Sequence, residues 1–204
     1  MKKIMIMHPC IVTRHGLQQL FMRKLPDAEI IPAHSIYDLL FNDDLSDVDL
    51  IVSELYGLNE NITTGVKLLS FVQSIRHDRP LLIMTDEPGN QVLDCLEYLP
   101  GASCIALSED INQLIIQIDR VLADNIVISL SLSNKQRMNL SNSDALPFSR
   151  SEIQVYTLLQ KGFSITQIAK KISRSVKTVS AHKRNMMGKL GIKSEVELYA
   201  CFNQ

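Results

Sequence analysis

The chain has no apolar run approaching the ~20 residues of a membrane span. Its opening, MKKIMIM, is cut off by His8-Pro9 too early to act as a signal peptide. A cytoplasmic protein is therefore expected. Cysteine is scarce and scattered: Cys10, Cys95, Cys104 and Cys201 stand singly without Cys-x-x-Cys spacing, which argues against a disulfide framework and for reduced, mostly buried thiols. The five histidines (8, 15, 34, 77 and 182) show no ligand spacing, so no metal site is expected. A glycine-rich phosphate loop and a nucleophile–base constellation are also missing, which leaves little support for a metabolic enzyme, and no cofactor is expected. Net charge is nearly absent as well, −1 overall.

That near-neutrality conceals a division. From Ser149 onward ten Lys and Arg face three Asp and Glu, whereas the remainder has eleven against nineteen. An acidic part joined to a basic part reads as a regulatory domain on a nucleic-acid-binding one. The 204 residues, 46% of them hydrophobic, suffice for two modest domains with real cores.

The basic part carries the most informative spacing. Ser149 and Glu152 form an S-x-x-E capping box ahead of an apolar face at Val155, Leu158 and Leu159. Gly162 stands where a left-handed helix C-cap is wanted. Ser164 and Gln167 form a second box, and Ile165, Ile168, Ala169 and Ile172 repeat at helical spacing, Ala169 being small enough for close approach. Ser173-Arg174-Ser175 is a tight turn with an N-cap at Ser175. A third helix follows. Val179, Met186 and Leu190 point inward, with Lys183 at the edge of that stripe, while Lys177, Ser180, Ala181, Arg184 and Gly188 share another face. A groove-reading face needs a base donor and small residues that let the helix sink, and Lys177, Ser180, Ala181 and Arg184 meet that need. The bland alternative is a basic, solvated helix on an ordinary helical domain.

This stretch resembles the LuxR-type helix-turn-helix of the NarL/FixJ class of bacterial regulators. The matching residues are Glu152, Gly162, Ile168-Ala169, Ser175, Lys177-Thr178-Val179, His182, Asn185 and Lys189-Leu190-Gly191, and IAKKISRSVKTVSAHK is most similar to the Rcs-type regulators of enteric bacteria. Ser151 departs from the pattern: the family usually has an Arg there that pairs with an acid, so a buried ion pair should be weakened. The resemblance implies that Ser180, Ala181 and Arg184 approach base edges, and that Lys177, Thr178, His182, Lys183 and Lys189 lie along phosphates. Thr166, near the start of the preceding helix, is a further phosphate candidate. It also implies a dimer surface on the final helix at Val196, Tyr199 and Ala200, with Cys201 beside them; simple packing on the domain is the alternative for each.

Before residue 125, short apolar runs alternate with helical patterns. Strand candidates are Ile4–Met7, Glu29–Ile31, Leu50–Val52, Leu81–Met84 and Cys104–Leu107. Leu17, Leu20, Phe21 and Leu25 mark the first helix, and Ile111, Leu114, Ile115, Ile118, Val121 and Leu122 the last. Five strands alternating with five helices predict an α/β domain, the doubly wound, flavodoxin-like parallel sheet, whose ligand chemistry sits at the carboxyl ends of the strands. The expected division is 1–125 for this domain, 126–146 for a linker whose Ser/Asn-rich SLSLSNKQRMNLSNSD has no sustained period after Ile128, and 147–204 for an all-α helix-turn-helix domain.

The N-terminal pattern is similar to a response-regulator receiver, VTRHGLQQLF resembling that family's first helix. Receivers use two acidic residues after the first strand for Mg²⁺, an Asp after the third as phosphoacceptor, a Ser or Thr after the fourth and a Lys after the fifth. The matching positions here are His8 and Pro9, Glu54, Thr85, and Ser108. His-Pro supplies no carboxylate for Mg²⁺. Without the metal, charge on a transferring phosphoryl group is not neutralised, and Ser108 lacks the ammonium. Glu54 is then either a solvated acid at a strand end or a permanent anion that crudely resembles a charged switch. The expectation is a phosphorylation-independent pseudo-receiver on a dimeric, sequence-specific DNA-binding transcription regulator, with double-stranded DNA as partner and no membrane. Two alternatives stay open: an auxiliary regulator that heterodimerises with a phosphorylatable Rcs-type response regulator, and a conventional phosphoacceptor.

Overall fold

A computed structural model describes residues 2–58, 60–76, 79–87, 89–133 and 149–202, without the side chains at 89, 90, 133, 150 and 200–202. Five strands, β1 (Lys3–Met7), β2 (Glu29–Ala33), β3 (Leu50–Ser53), β4 (Leu81–Thr85) and β5 (Ser103–Ala106), form one sheet in the order β2-β1-β3-β4-β5. Every pairing is parallel, with Ile4 opposite Ile30 and Leu50, and Ile83 opposite Cys104. All five strands stand where the apolar runs place them, most extended by one or two residues. The helices between them are α1 (Ile11–Lys24), α2 (Ile36–Leu40), α3 (Ile62–Ile75), α4 (Gly89–Leu96) and α5 (Ile111–Leu122).

The period of two along each strand divides the core in two. Met5, Met7, Ile51, Ile83 and Cys104 face one side, with Leu68, Leu69, Phe71 and Val72 of α3. Ile4, Ile6, Val52, Leu82, Met84 and Ile105 face the other, with Leu17 and Phe21 of α1 and Leu114, Ile118 and Val121 of α5. The strands covered on both faces are near-continuous apolar runs, polar only at their ends (Lys3, Ser53, Thr85 and Ser103), as a parallel sheet between two helical layers requires. At Gly65 of α3 an added Cβ would stand 2.0 Å from the Leu55 carbonyl oxygen, so glycine there allows the helix its closest approach to the sheet.

The linker begins later than residue 126. Cys104 N–H donates to Val127 O (2.7 Å), Ser129 N–H donates to Cys104 O (2.9 Å), and Ser129 Oγ accepts from Ala106 N–H (3.1 Å). Residues 125–129 thus run along the edge of β5, and a short helix, α6 (Leu130–Ser133), packs on α4 and β5. The reason is the edge itself: unpaired N–H and C=O groups of β5 take any extended partner, and the Ser129 hydroxyl, which donates to Gln117 (2.8 Å), adds a side-chain anchor. Residues 134–146, the rest of the expected linker, lie outside the described ones, as do residues 147 and 148.

The C-terminal part has four helices, α7 (Arg150–Gln160), α8 (Ile165–Lys171), α9 (Val176–Leu190) and α10 (Glu195–Phe202). Its core joins that of the sheet domain through Tyr156, fully buried, whose ring meets Phe71 edge-on with centroids 4.8 Å apart. Tyr156 Oη donates to Leu40 O (2.5 Å), Tyr37 Oη to Leu190 O (2.6 Å) and Gln160 Nε2 to Asn42 O (3.3 Å). Among the described residues no helix is long and apolar enough to cross a membrane.

Candidate DNA-reading face and the pocket at the strand ends

Each helix of the C-terminal unit starts on a side-chain cap. Ser149 Oγ accepts from Glu152 N–H (3.3 Å) while Glu152 Oε2 accepts from Ser149 N–H (2.7 Å). Ser164 and Gln167 repeat the reciprocal pair at 3.3 and 2.8 Å. Ser175 Oγ accepts from Thr178 N–H (3.0 Å) ahead of α9. The ends are equally defined. Gly162 (φ 79°) and Gly191 (φ 74°) are left-handed, and the 6→1 bonds Phe163 N–H to Leu158 O (3.0 Å) and Ile192 N–H to Met187 O (2.9 Å) make both Schellman motifs. The turn between α8 and α9 repeats the motif on a non-glycine residue: Ser173 has φ 52°, and Arg174 N–H donates to Ala169 O (2.9 Å).

These fixed termini orient α9. Val179, Met186, Met187 and Leu190 are buried, and Lys177, Ala181, Arg184 and Gly188 are exposed, with Ser180 half-buried beside them. Thr178, His182 and Lys189 are half-buried on the flank, and Thr166 is exposed on α8. The contact with the sheet domain uses Leu190 and the inward side of α9, so it leaves the Lys177–Ala181–Arg184 face open.

Two residues of the expected phosphate row serve other purposes. Lys183 is buried at 4% exposure; its Nζ pairs with Glu195 (3.0 Å) and sits 4.8 Å from the Tyr199 ring centre, so the ammonium ties α9 to α10 and does not lie on the DNA side. The apolar stripe of α9 decides this, since Lys183 lies four residues from Val179 along it. Lys189 Nζ donates to Glu152 Oε2 at 2.8 Å. Burial alone would raise the Glu152 carboxyl, but the Lys189 ammonium and the Ser149 N–H and hydroxyl hold it below the ordinary carboxylate range. Lys189 thereby supplies the ion pair that Ser151 cannot. On α10, Val196 is 79% exposed and Tyr199 39%; the side chains of Ala200 and Cys201 are not described.

At the other end of the molecule, the carboxyl ends of β1, β3 and β4 bring together His8, Glu54 and Thr85, all buried. His8 Nδ1 accepts from Cys10 N–H (3.1 Å), and His8 Nε2 lies 3.8 Å from Glu54 Oε2. Glu54 Oε1 accepts from Leu55 N–H (2.7 Å), and Oε2 makes no hydrogen bond to any described residue. Thr85 Oγ1 accepts from Glu87 N–H (3.1 Å). Pro9 is half-buried, and Ser108 is exposed in the turn after β5. Glu54 is 1% exposed, which overturns the solvated-acid reading. Burial pushes its carboxyl up to about 7, helped by Glu87 and Asp86, against the nearby Thr85 hydroxyl and the Leu55 N–H. These residues do not fit a receiver's Mg²⁺, because the position after β1 offers an imidazole and a proline in place of carboxylates, and Glu54 turns one oxygen to the backbone. Arg14, buried and donating through Nη1 to His8 O (2.5 Å), was not foreseen. Nothing in the spacing of α1 distinguishes it from a surface arginine.

A parallel 2-1-3-4-5 sheet joined to a capped helix-turn-helix with an exposed basic face defines a two-domain, response-regulator-like DNA-binding protein. Residues 146–202 match the family model of bacterial regulatory proteins, luxR family. Residues 146–202 are thus a LuxR-type DNA-binding domain of a transcription regulator, joined to a response-regulator-like N-terminal fold. The chain is similar to the Escherichia coli O157:H7 protein YjjQ, 27% identical over 94% of this chain and 80% of that one. It is also similar to the oxygen regulatory protein NreC of Staphylococcus aureus, 42% identical over 34% of this chain but only 31% of NreC. Among solved structures it shares its two-domain fold with RcsB from Salmonella enterica serovar Typhimurium bound to promoter P1flhDC. There the TM-score is 0.55 and the identity 17%, with 98% of this chain and 97% of that one covered.

Proposed function

We propose that this regulator binds DNA sequence-specifically as a dimer in the cytoplasm, and that its N-terminal domain works without phosphoryl transfer. The observation that carries the first part is the sorting of α9: its apolar stripe is buried, while Lys177, Ala181 and Arg184 form an open face of donors and small residues, with Thr166, Thr178, Ser180 and His182 around it. Ser180, Ala181 and Arg184 address base edges; Thr166, Lys177, Thr178 and His182 address phosphates. Structures of RcsB dimers on DNA lend the dimeric reading support, and the exposed Val196 and Tyr199 provide its surface. Ala200 belongs to the same proposed surface by its place in α10. The non-phosphorylated reading rests on His8, Pro9 and Ser108 at the positions of the carboxylates and the lysine.

Binding to a DNA pool enriched by repeated selection tests the first part. Affinity should fall with salt by about 0.9 log units per log unit for each phosphate that a Lys or Arg neutralises. Arg184→Ala should cost about 1–3 kcal/mol on the selected sequence and much less on random DNA. Equal losses on both would make Arg184 a phosphate contact. Incubation with acetyl phosphate and Mg²⁺ tests the second part: the intact mass should not change, and a stable phosphoryl adduct would restore the conventional receiver. If the pure chain selects no DNA but does so with a second response regulator added, the heterodimeric alternative takes its place.

A further inference from the structure

Four features of the strand-end pocket stand unused by the proposed function. The His8 imidazole and the Glu54 carboxylate are enclosed together, at 5% and 1% exposure, with Nε2 and Oε2 3.8 Å apart. Because His8 Nδ1 accepts the Cys10 N–H, a neutral His8 carries its proton on Nε2, the nitrogen facing Glu54. Glu54 Oε2 lacks a hydrogen bond to any described residue, a costly state for a buried charged oxygen. The Thr85 hydroxyl lies beside the same carboxyl and also receives the Glu87 N–H.

We propose that His8 and Glu54 form a buried proton-binding site in the place where receivers keep their phosphorylation chemistry, and that proton uptake there is transmitted through Thr85 to the ends of β4 and β5. It rests on the reading of this pocket as non-phosphorylatable. The step is simple: a solvent proton adds to Glu54 Oε2, the carboxylate becomes a neutral acid, and the pair passes from one negative charge to none. No bond between heavy atoms forms or breaks. The Thr85 hydroxyl lies beside this carboxyl, so the change of charge is felt at the atom that holds Glu87 N–H. Thr85 O in turn accepts from Leu107 N–H (2.9 Å), one residue beyond Ala106, whose N–H is held by Ser129 of the linker segment.

Most of the surroundings favour uptake, against the Leu55 N–H that donates to Oε1 and the Thr85 hydroxyl. Burial and the carboxylates of Glu87 and Asp86, after β4, raise Glu54. Burial lowers His8, and Arg14 of α1 adds to this, so the proton goes to the carboxyl in preference to the imidazole. Tyr56, in the loop after β3, and Cys104 of β5 are held in their neutral forms, burial being the leading cause and the Glu54 charge a further one. Cys10, at the start of α1, is exposed and is itself lowered by the backbone and hydroxyl of Thr13. Arg14 is the nearby cation that opposes uptake.

The test is a pH titration of the full chain labelled with ¹³C at the glutamate carboxyls, from pH 5 to 8.5, with sequential assignment identifying Glu54 in the wild-type protein. Glu54 should titrate near 7, where ordinary glutamates titrate at about 4.3, and the Thr85, Ala106 and Leu107 amides should shift with the same midpoint. Glu54→Gln, isosteric with the protonated acid, should abolish that amide titration. A Glu54 midpoint at or below 5 overturns the proposal, as does an amide titration that survives in Glu54→Gln. Should that variant not fold, the wild-type carboxyl and amide midpoints decide alone: agreement supports the proposal and disagreement overturns it. A phosphoryl adduct after acetyl phosphate would instead overturn the underlying reading, a separate result from an ordinary Glu54 titration.

Discussion

At Glu152 three demands meet on one carboxylate: it closes a capping box, accepts the Lys189 ammonium, and is buried at 3% exposure. Lys189→Ala leaves that charge short of its partner, and we expect a loss of about 1–3 kcal/mol in stability, read from urea midpoints. Its effect on DNA affinity should vanish once the folded fraction is corrected for. If stability is unchanged and affinity falls on all sequences alike, Lys189 is a phosphate contact after all. Glu152 is lowered in the folded state, so its contribution is full above the unfolded value of about 4.3 and lost as pH falls through the folded value. Glu54 has the opposite sign. Its folded carboxyl is raised, so its contribution is full below the unfolded value and lost as pH rises through about 7. His8, lowered by burial, contributes above its ordinary value near 6.5 and opposes Glu54 below it. Glu54→Gln should therefore be more stable than wild type at pH 8 by on the order of 2 kcal/mol, and nearly equal to it at pH 5. Equal urea midpoints at pH 8 would mean that the carboxylate costs nothing when ionised.

Among the elements, α7 and α9 end on left-handed glycines, and α8 ends on left-handed Ser173. An L-residue in that conformation costs roughly 1–2 kcal/mol. Gly162→Ala should then destabilise the C-terminal unit by about that amount, although an added Cβ meets no atom within 4 Å. The thermal midpoint measures it, and an unchanged midpoint would show that the turn relaxes. Gly65→Ala fails for a different reason: the new Cβ meets backbone, the Leu55 carbonyl, so α3 must move, at about 1–3 kcal/mol. The strap along β5 is an element that the residue pattern conceals. VISLS has an alternating character too short to stand out, and its order comes from the free β5 edge and the Ser129 hydroxyl.

On the scale of the whole molecule, the two domains share one apolar cluster through Phe71, Tyr156, Phe41 and Tyr37. Tyr156 and Tyr37 each carry a hydroxyl to a carbonyl of the other domain. This contact leaves the Lys177, Ala181 and Arg184 face of α9 exposed. Tyr156→Phe leaves the buried Leu40 carbonyl without its donor and should cost about 1–3 kcal/mol. Hydrogen exchange should quicken at amides of both α2 and α7. Faster exchange confined to α7 would show that the domains do not stabilise each other.

The sequence by itself determined the strands, the helix caps and the sorted face of α9, because these depend on local rules: a period of two or of 3.6, a hydroxyl placed three residues before a free N–H, a glycine where φ is positive. Those rules act within one turn or one strand; it was the resemblance to a receiver that picked out His8, Glu54 and Thr85 at the strand ends. What those residues face was decided by tertiary structure alone. Lys183 turns inward because Tyr199 and Glu195 of α10 are there to meet it. Lys189 finds Glu152 from 37 residues away. Glu54 is buried against His8, across a strand pairing that no local spacing encodes, and its charge depends on how completely the surrounding elements exclude water. Burial and long-range contact are properties of the closed fold, and the electrostatics of the site follow from them.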